Sequence, residues 1–167
     1  AGSAGDNTEI IRLLSDPLAE LTKGKKVLAA GIFDPVAVNK CKMNPDQEIT
    51  LAVGGNYDTM FCQPVTLNGT PVKLVEKWGL FKSDLMLFRT EQFDLIITSK
   101  HIGFTGVGMF KALEIDYLNC DVIIPKLGYL TEDFKEIAAK SYMALTRGCT
   151  DEVLSRLNYQ NNNYTLI

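Results

Sequence analysis

The chain has 167 residues, 17 Lys and Arg against 20 Asp and Glu, and a formal net charge of −3, which suits one domain and argues against a nucleic-acid-binding surface. An apolar share of 46% with 22% charged residues is that of an ordinary globular protein. No apolar run approaches the roughly 18 residues of a membrane span, and no basic-then-apolar leader opens the sequence, so neither a membrane segment nor a signal peptide is expected.

The stretch Ala1 to Leu14 is a small-residue, glycine-bearing loop running straight into a helix, which is expected over about Asn7 to Leu21 and stops near Gly24. Asp6 is placed to cap it, with Glu9 at the capping-box spacing, and Ile10, Ile11, Leu13 and Leu14 share a face. Lys26 to Phe33 reads as a buried strand. Asp34-Pro35 then gives an N-cap followed by proline at the first helical position, starting a helix over Val36 to Lys42. Ile49 to Val53 alternates as a half-buried strand ending at Gly54-Gly55. Asn68-Gly69, between Val65-Thr66-Leu67 and Val72-Lys73-Leu74, is a hairpin-turn signal, and Leu74 to Trp78 with Leu85 to Arg89 continues an antiparallel meander.

Phe93 to Ser99 is a further apolar strand, running into His101 and a loop from Gly103 to Gly108, with a short helix over Val107 to Leu113. Asp121 to Pro125 is a buried strand. Thr131 caps a helix whose Phe134, Ile137, Ala138 and Ser141 share a face, Met143 to Leu145 forms a last short strand, and Thr150 caps a final helix through Leu157. The tail Gln160 to Asn163 is expected to fray. Strands followed by helices beside an antiparallel meander predict an α/β fold, a single domain whose mixed parallel and antiparallel sheet is flanked by helices.

Ligands of such sheets gather at the carboxyl ends of the strands. Two of those ends carry polar chemistry here: Thr98-Ser99-Lys100-His101, and Lys126 after Asp121 to Pro125. His101 is either a proton-transfer group or a loop imidazole bonded to backbone. Lys126 either holds a carboxylate in a cleft or snorkels from the sheet edge. Gly54-Gly55-Asn56 reads as a turn rather than an anion nest. The bare amides expected at Gly5-Asp6-Asn7-Thr8 suit a carboxylate or phosphate. Cys41, Cys62, Cys120 and Cys149 are widely spaced with no C-x-x-C pair, which predicts structural thiols in a reducing, cytoplasmic compartment. His101 is the single histidine, whereas zinc sites of His and carboxylate ligands take two or three, so no metal site and no catalytic residue is expected in this chain.

Taken in order, these pieces resemble the C-terminal domain of the microcystinase C (MlrC) type zinc peptidases, over nearly the whole chain. AGSAGDNTEIIRLL is similar to that family's Gly-rich loop and leucine-rich helix, and GIFDPVAV to its strand with Asp-Pro-x-x-Val. LAVGG and NGTPVKL match its double glycine and Gly-x-Pro-Val segment. FDLIITSK and VIIPK stand where it has two apolar strands, and RGCTDEVLSRLNY resembles its closing stretch. Leu127, Gly128 and Tyr129 replace the Ser and later His that commonly follow the family's lysine, and Arg147 replaces a proline.

The resemblance implies a larger machine. Family members are two-domain hydrolases of amide bonds in small or linear peptides, with zinc held by an N-terminal domain that this chain lacks. Residues 1–167 would form the single C-terminal domain, walling the cleft and binding substrate through Gly5, Asp6, Asn7, Thr8, Ser99, Lys100, His101 and Lys126, without activity when alone. The family's Asp-Asn pair would precede Ala1, so the chain is expected to be a domain cut from a longer protein. Its partners would be the N-terminal metal-binding domain and a small peptide, with no nucleic acid and no membrane. The alternative is a stand-alone module binding a small anion at the first helix, or a regulatory one; an independent thiol or histidine enzyme is a third reading.

Overall fold

The computed structural model describes residues 5–16, 19–147 and 153–156. Among the described residues there are six strands: β1 (Val27–Phe33), β2 (Ile49–Val53), β3 (Val65–Trp78), β4 (Ser83–Arg89), β5 (Asp94–Thr98) and β6 (Val122–Pro125). They form one sheet in the order β2-β3-β4-β5-β1-β6. β1 runs parallel to β5 and β6, while β2-β3, β3-β4 and β4-β5 are antiparallel, so the expected mixed sheet forms. The helices described are α1 (Glu9–Ser15), α2 (Ala19–Thr22), α3 (Pro35–Lys42), α4 (Gly108–Ala112) and α5 (Glu132–Ile137), with short 3-10 turns before β6 at Tyr117–Asn119 and after α5 at Leu154–Arg156.

The near-continuous apolar run of β1 follows from burial on both faces. Val27 and Ala29, with Met86, Phe88, Leu95 and Ile97, pack against α1, α3 and the β2 side chains Leu51 and Val53. Leu28 and Ala30, with Leu85, Leu87 and Ile96, pack on the other face against Met109, Phe110, Leu113 and Phe134. The period-two alternation of β-structure assigns each neighbour in sequence to a different core.

The single long first helix does not form. α1 stops at Ser15, and Asp16 leaves helical geometry at φ −139°, ψ −77°. Asp16 precedes Pro17, and a residue before proline is pushed out of the helical region. Thr8, not Asp6, occupies the N-cap position, without a side-chain cap bond. Glu9 pairs with Arg12 at 2.7 Å instead of closing a capping box.

Asn68-Gly69 is not a turn either. β3 runs unbroken through it: Val65 to Gly69 pairs with β2, and the pairing passes to β4 from Thr70 onward. Gly69 is needed for close approach, because a Cβ there would lie 2.2 Å from the Arg89 carbonyl oxygen. Thr70 stands opposite Arg89, which pairs with Asp94 at the start of β5. Yet Gly54, just past the far end of β2, touches Asp34 at the opposite end of the sheet. The β2-β3 ribbon therefore curls back over one face, which is how Leu51, Val53 and Leu67 enter the core beneath it.

Smaller differences lie toward the C-terminus. α5 ends at Ile137, short of Ser141, and Thr131 holds its N-cap position without a side-chain bond. Met143 to Leu145 is irregular rather than a strand. Of the final helix, Leu154–Arg156 is a 3-10 turn, while Thr150, Leu157 and the tail Gln160 to Asn163 lie outside the described residues.

Candidate functional site

Three parallel strands, β5, β1 and β6, end side by side, and the segment Gly5 to Thr8 lies across those ends. The Phe33 N–H donates to the Gly5 carbonyl at 2.9 Å, and the Lys126 Nζ donates to the Asn7 carbonyl at 3.2 Å. The His101 ring packs so closely on Gly5 that a Cβ there would lie 2.5 Å from its Cδ2. Gly5, Asn7, His101 and Lys126 are thus brought together from positions far apart in sequence. Ser99 and Lys100 are not part of that group. The Asp84 N–H donates to Ser99 Oγ at 2.8 Å, and Lys100 Nζ donates to the Phe81 carbonyl at 2.8 Å, both toward the β3-β4 turn.

Two buried carboxylates build the floor. Asp34, 1% exposed, caps α3 by accepting from the Ala37 N–H at 2.8 Å. Its second oxygen accepts from the Gly54 N–H at 2.9 Å and the Asn56 Nδ2 at 3.0 Å. Asp6, fully buried, accepts from the Tyr57 N–H at 2.6 Å and the Asp58 N–H at 3.3 Å. Burying a carboxylate is tolerable only with such donors. Together the two acids fasten residues 54–58 to the strand ends. The Gly55 N–H adds a bond to the Asp6 carbonyl at 2.8 Å, and Thr8 Oγ1 donates to the Gln63 carbonyl at 2.7 Å. Gly54, at φ +68°, passes so near that a Cβ would lie 2.6 Å from the Asp6 carbonyl oxygen.

Asp6 and Thr8 therefore shape the segment from within, while Asn7, His101 and Lys126 line its outer side. The Phe33 ring stacks on Tyr57 at 5.0 Å and meets His101 at 5.9 Å with a 51° tilt, so Tyr57, Phe33 and His101 form an aromatic row beside that edge. The first amide of α1 is already taken, since the Glu9 N–H donates to Asn7 Oδ1 at 3.0 Å. Sequence reading missed Asp34 beyond its cap role and Tyr57 altogether, and took Asn56 only as part of a turn. Gly54-Gly55-Asn56 was the available signal: it does cradle an anion, but an internal one, the Asp34 carboxylate.

The described thiols, Cys41, Cys62 and Cys120, are poorly suited to nucleophilic work, and Cys149 lies outside the described residues. Burial pushes the Cys41 thiol up to about 11, and burial raises those of Cys62 and Cys120 as well. Among the described residues, no group of three or more His, Cys, Asp or Glu side chains could hold a metal ion. The strand-end carboxylates Asp6 and Asp34 are turned onto amides, so these two do not fit a zinc centre.

The family profile described as MlrC C-terminus matches residues 1–161. The chain belongs to that family. This MlrC C-terminal domain also shares its fold with a solved crystal structure, a "Putative metallopeptidase" from Mesorhizobium sp. BNC1, at a TM-score of 0.71 and 20% identity. The match covers 86% of the domain and 30% of that chain, so the domain spans less than a third of the neighbour's length. No curated protein matches the sequence.

Proposed function

We propose that this MlrC C-terminal domain is the substrate-side part of a zinc-dependent peptidase or amidase acting on small or linear peptides, with the metal ligands supplied by a separate N-terminal domain. Residues 1–167 are, in this reading, one domain of that enzyme, working in the cytoplasm and inactive alone. The observation that carries it is the convergence of Asn7, His101 and Lys126 on the strand ends of a chain of this family, where α/β sheets take their ligands. The metallopeptidase description of a much longer structural neighbour supports it.

The polar groups have roles that need no metal ligand from this chain. Lys126 and His101 supply hydrogen-bond donors to a peptide lying along the strand ends. Asp6 and Thr8 position the backbone between them. Gly5 keeps that backbone close to the imidazole, and Tyr57 with Phe33 offers an apolar edge for a side chain. Ser99 and Lys100, given to this site on sequence grounds, bond toward the β3-β4 turn and carry no part of this reading.

The test compares the isolated 167-residue chain with a longer protein carrying it, each titrated with zinc and assayed on a linear peptide. Zinc retention and turnover by the longer protein alone are expected. Turnover by the isolated chain contradicts the division of labour.

A further inference from the structure

The strand-end edge is also where large apolar side chains stand in solvent. Tyr57, Met60 and Phe61 are 56%, 83% and 43% exposed on the loop between β2 and β3, and Leu80 and Phe81 are 90% and 65% exposed on the turn between β3 and β4. That turn belongs to the same end of the sheet, since Leu85 of β4 stands opposite Thr98 of β5. Lys100 ties the two together through the Phe81 carbonyl.

These side chains are held on a built scaffold. The loop carrying Tyr57, Met60 and Phe61 is fastened from beneath by Asp6 and Asp34, and Cys62 Sγ closes it on the Asp58 carbonyl at 3.1 Å. An apolar patch preorganised in this way loses little freedom when it is covered, which favours a defined partner. The cations at this end are Lys82, Lys100, Lys126 and, when protonated, His101; of the carboxylates there, Asp6 and Asp34 are turned onto amides and Glu76 and Asp84 are both engaged by Lys42, which leaves the edge cationic in balance. Its complement is an apolar surface edged with carboxylates.

We infer that Tyr57, Met60, Phe61, Leu80 and Phe81 form the docking surface for the metal-bearing domain of the same longer protein, an acidic-edged apolar face that closes over the polar segment Gly5 to Thr8. The inference rests on the proposed function for the occupant's identity. The neighbour whose fold this chain shares has 70% of its length outside the match, ample for a second body on this edge.

Hydroxyl-radical footprinting tests it in the longer protein against the isolated chain. Oxidation of Tyr57, Met60 and Phe81 is expected to slow about fivefold or more in the longer protein, with Met43, 73% exposed beyond α3, serving as an unprotected control. Equal oxidation in both proteins overturns the inference. So does protection of the isolated chain that grows with its own concentration, which assigns the surface to a second copy. The readout is independent of hydrolysis: protection without turnover upholds the docking surface and defeats the peptidase reading, and turnover without protection does the reverse.

Discussion

Asp34 carries two jobs with one carboxylate, and only one of them is written locally. The Asp-Pro pair after an apolar strand announces a helix cap, and that cap forms on Ala37. The bonds to Gly54 and Asn56 join residues 20 and 22 positions away, a distance at which local pattern carries no signal. Asp34→Ala should therefore cost about 3 kcal/mol, a lost cap plus buried donors left unpaired, read as a shift in a urea unfolding curve. Faster amide exchange at 54–58 should accompany it. A loss no larger than that of an exposed cap would contradict the double role. Cys41 gives a prediction of pH. Its folded pKa of about 11 lies above the ordinary 9.0, so the native state keeps a proton that the unfolded chain gives up. Stability from this group is complete below pH 9.0 and declines toward about 11. Cys41→Ala should flatten that alkaline limb relative to its own stability at neutral pH, whatever the cavity costs.

Among the elements, strands were legible and connections were not. The apolar runs that became β1, β5 and β6 are bounded within a residue or two of their sequence limits; in β1 and β5 burial on two faces leaves little room for polar residues, whereas β6, expected to be buried, is a half-buried edge strand with Val122 exposed. Asn68-Gly69 misled, since the same glycine that suits a tight turn also suits a strand crossing close to a neighbour. Gly69→Ala should destabilise by about 2 to 3 kcal/mol through the clash with Arg89, whereas exposed Asn68→Ala, which loses only its bond with Thr50, should cost under about 1 kcal/mol. Equal effects would restore the turn reading. The α3 helix is also tied to the sheet by charge, Lys42 meeting Asp84 at 2.7 Å and Glu76 at 3.1 Å. Partial burial would raise the Asp84 carboxyl, but the Lys42 hydrogen bond, the Lys77 amide and nearby lysine charge outweigh it and hold the group below 3.8. A depressed pKa stabilises the fold above that value and is lost as pH falls through it. Asp84→Asn should accordingly soften the acid limb of the stability profile, measured by thermal melts between pH 5 and pH 2.

At the scale of the whole molecule, the chain order of motifs was enough to place it in a family and to forecast a mixed sheet, because both follow from the sequence of elements. Which residues meet at the strand ends needed three dimensions: Ser99, Lys100 and His101 are consecutive, yet the first two face Asp84 and Phe81 while His101 packs on Gly5. That divergence supplies the most direct measurement of the central claim, kcat/KM for a linear peptide with single substitutions in a longer protein carrying the domain. His101→Ala and Lys126→Met should each lower it about tenfold or more at unchanged zinc content, while Lys100→Met stays near the parent value. Indistinguishable behaviour of the three variants would contradict a substrate surface at the strand ends.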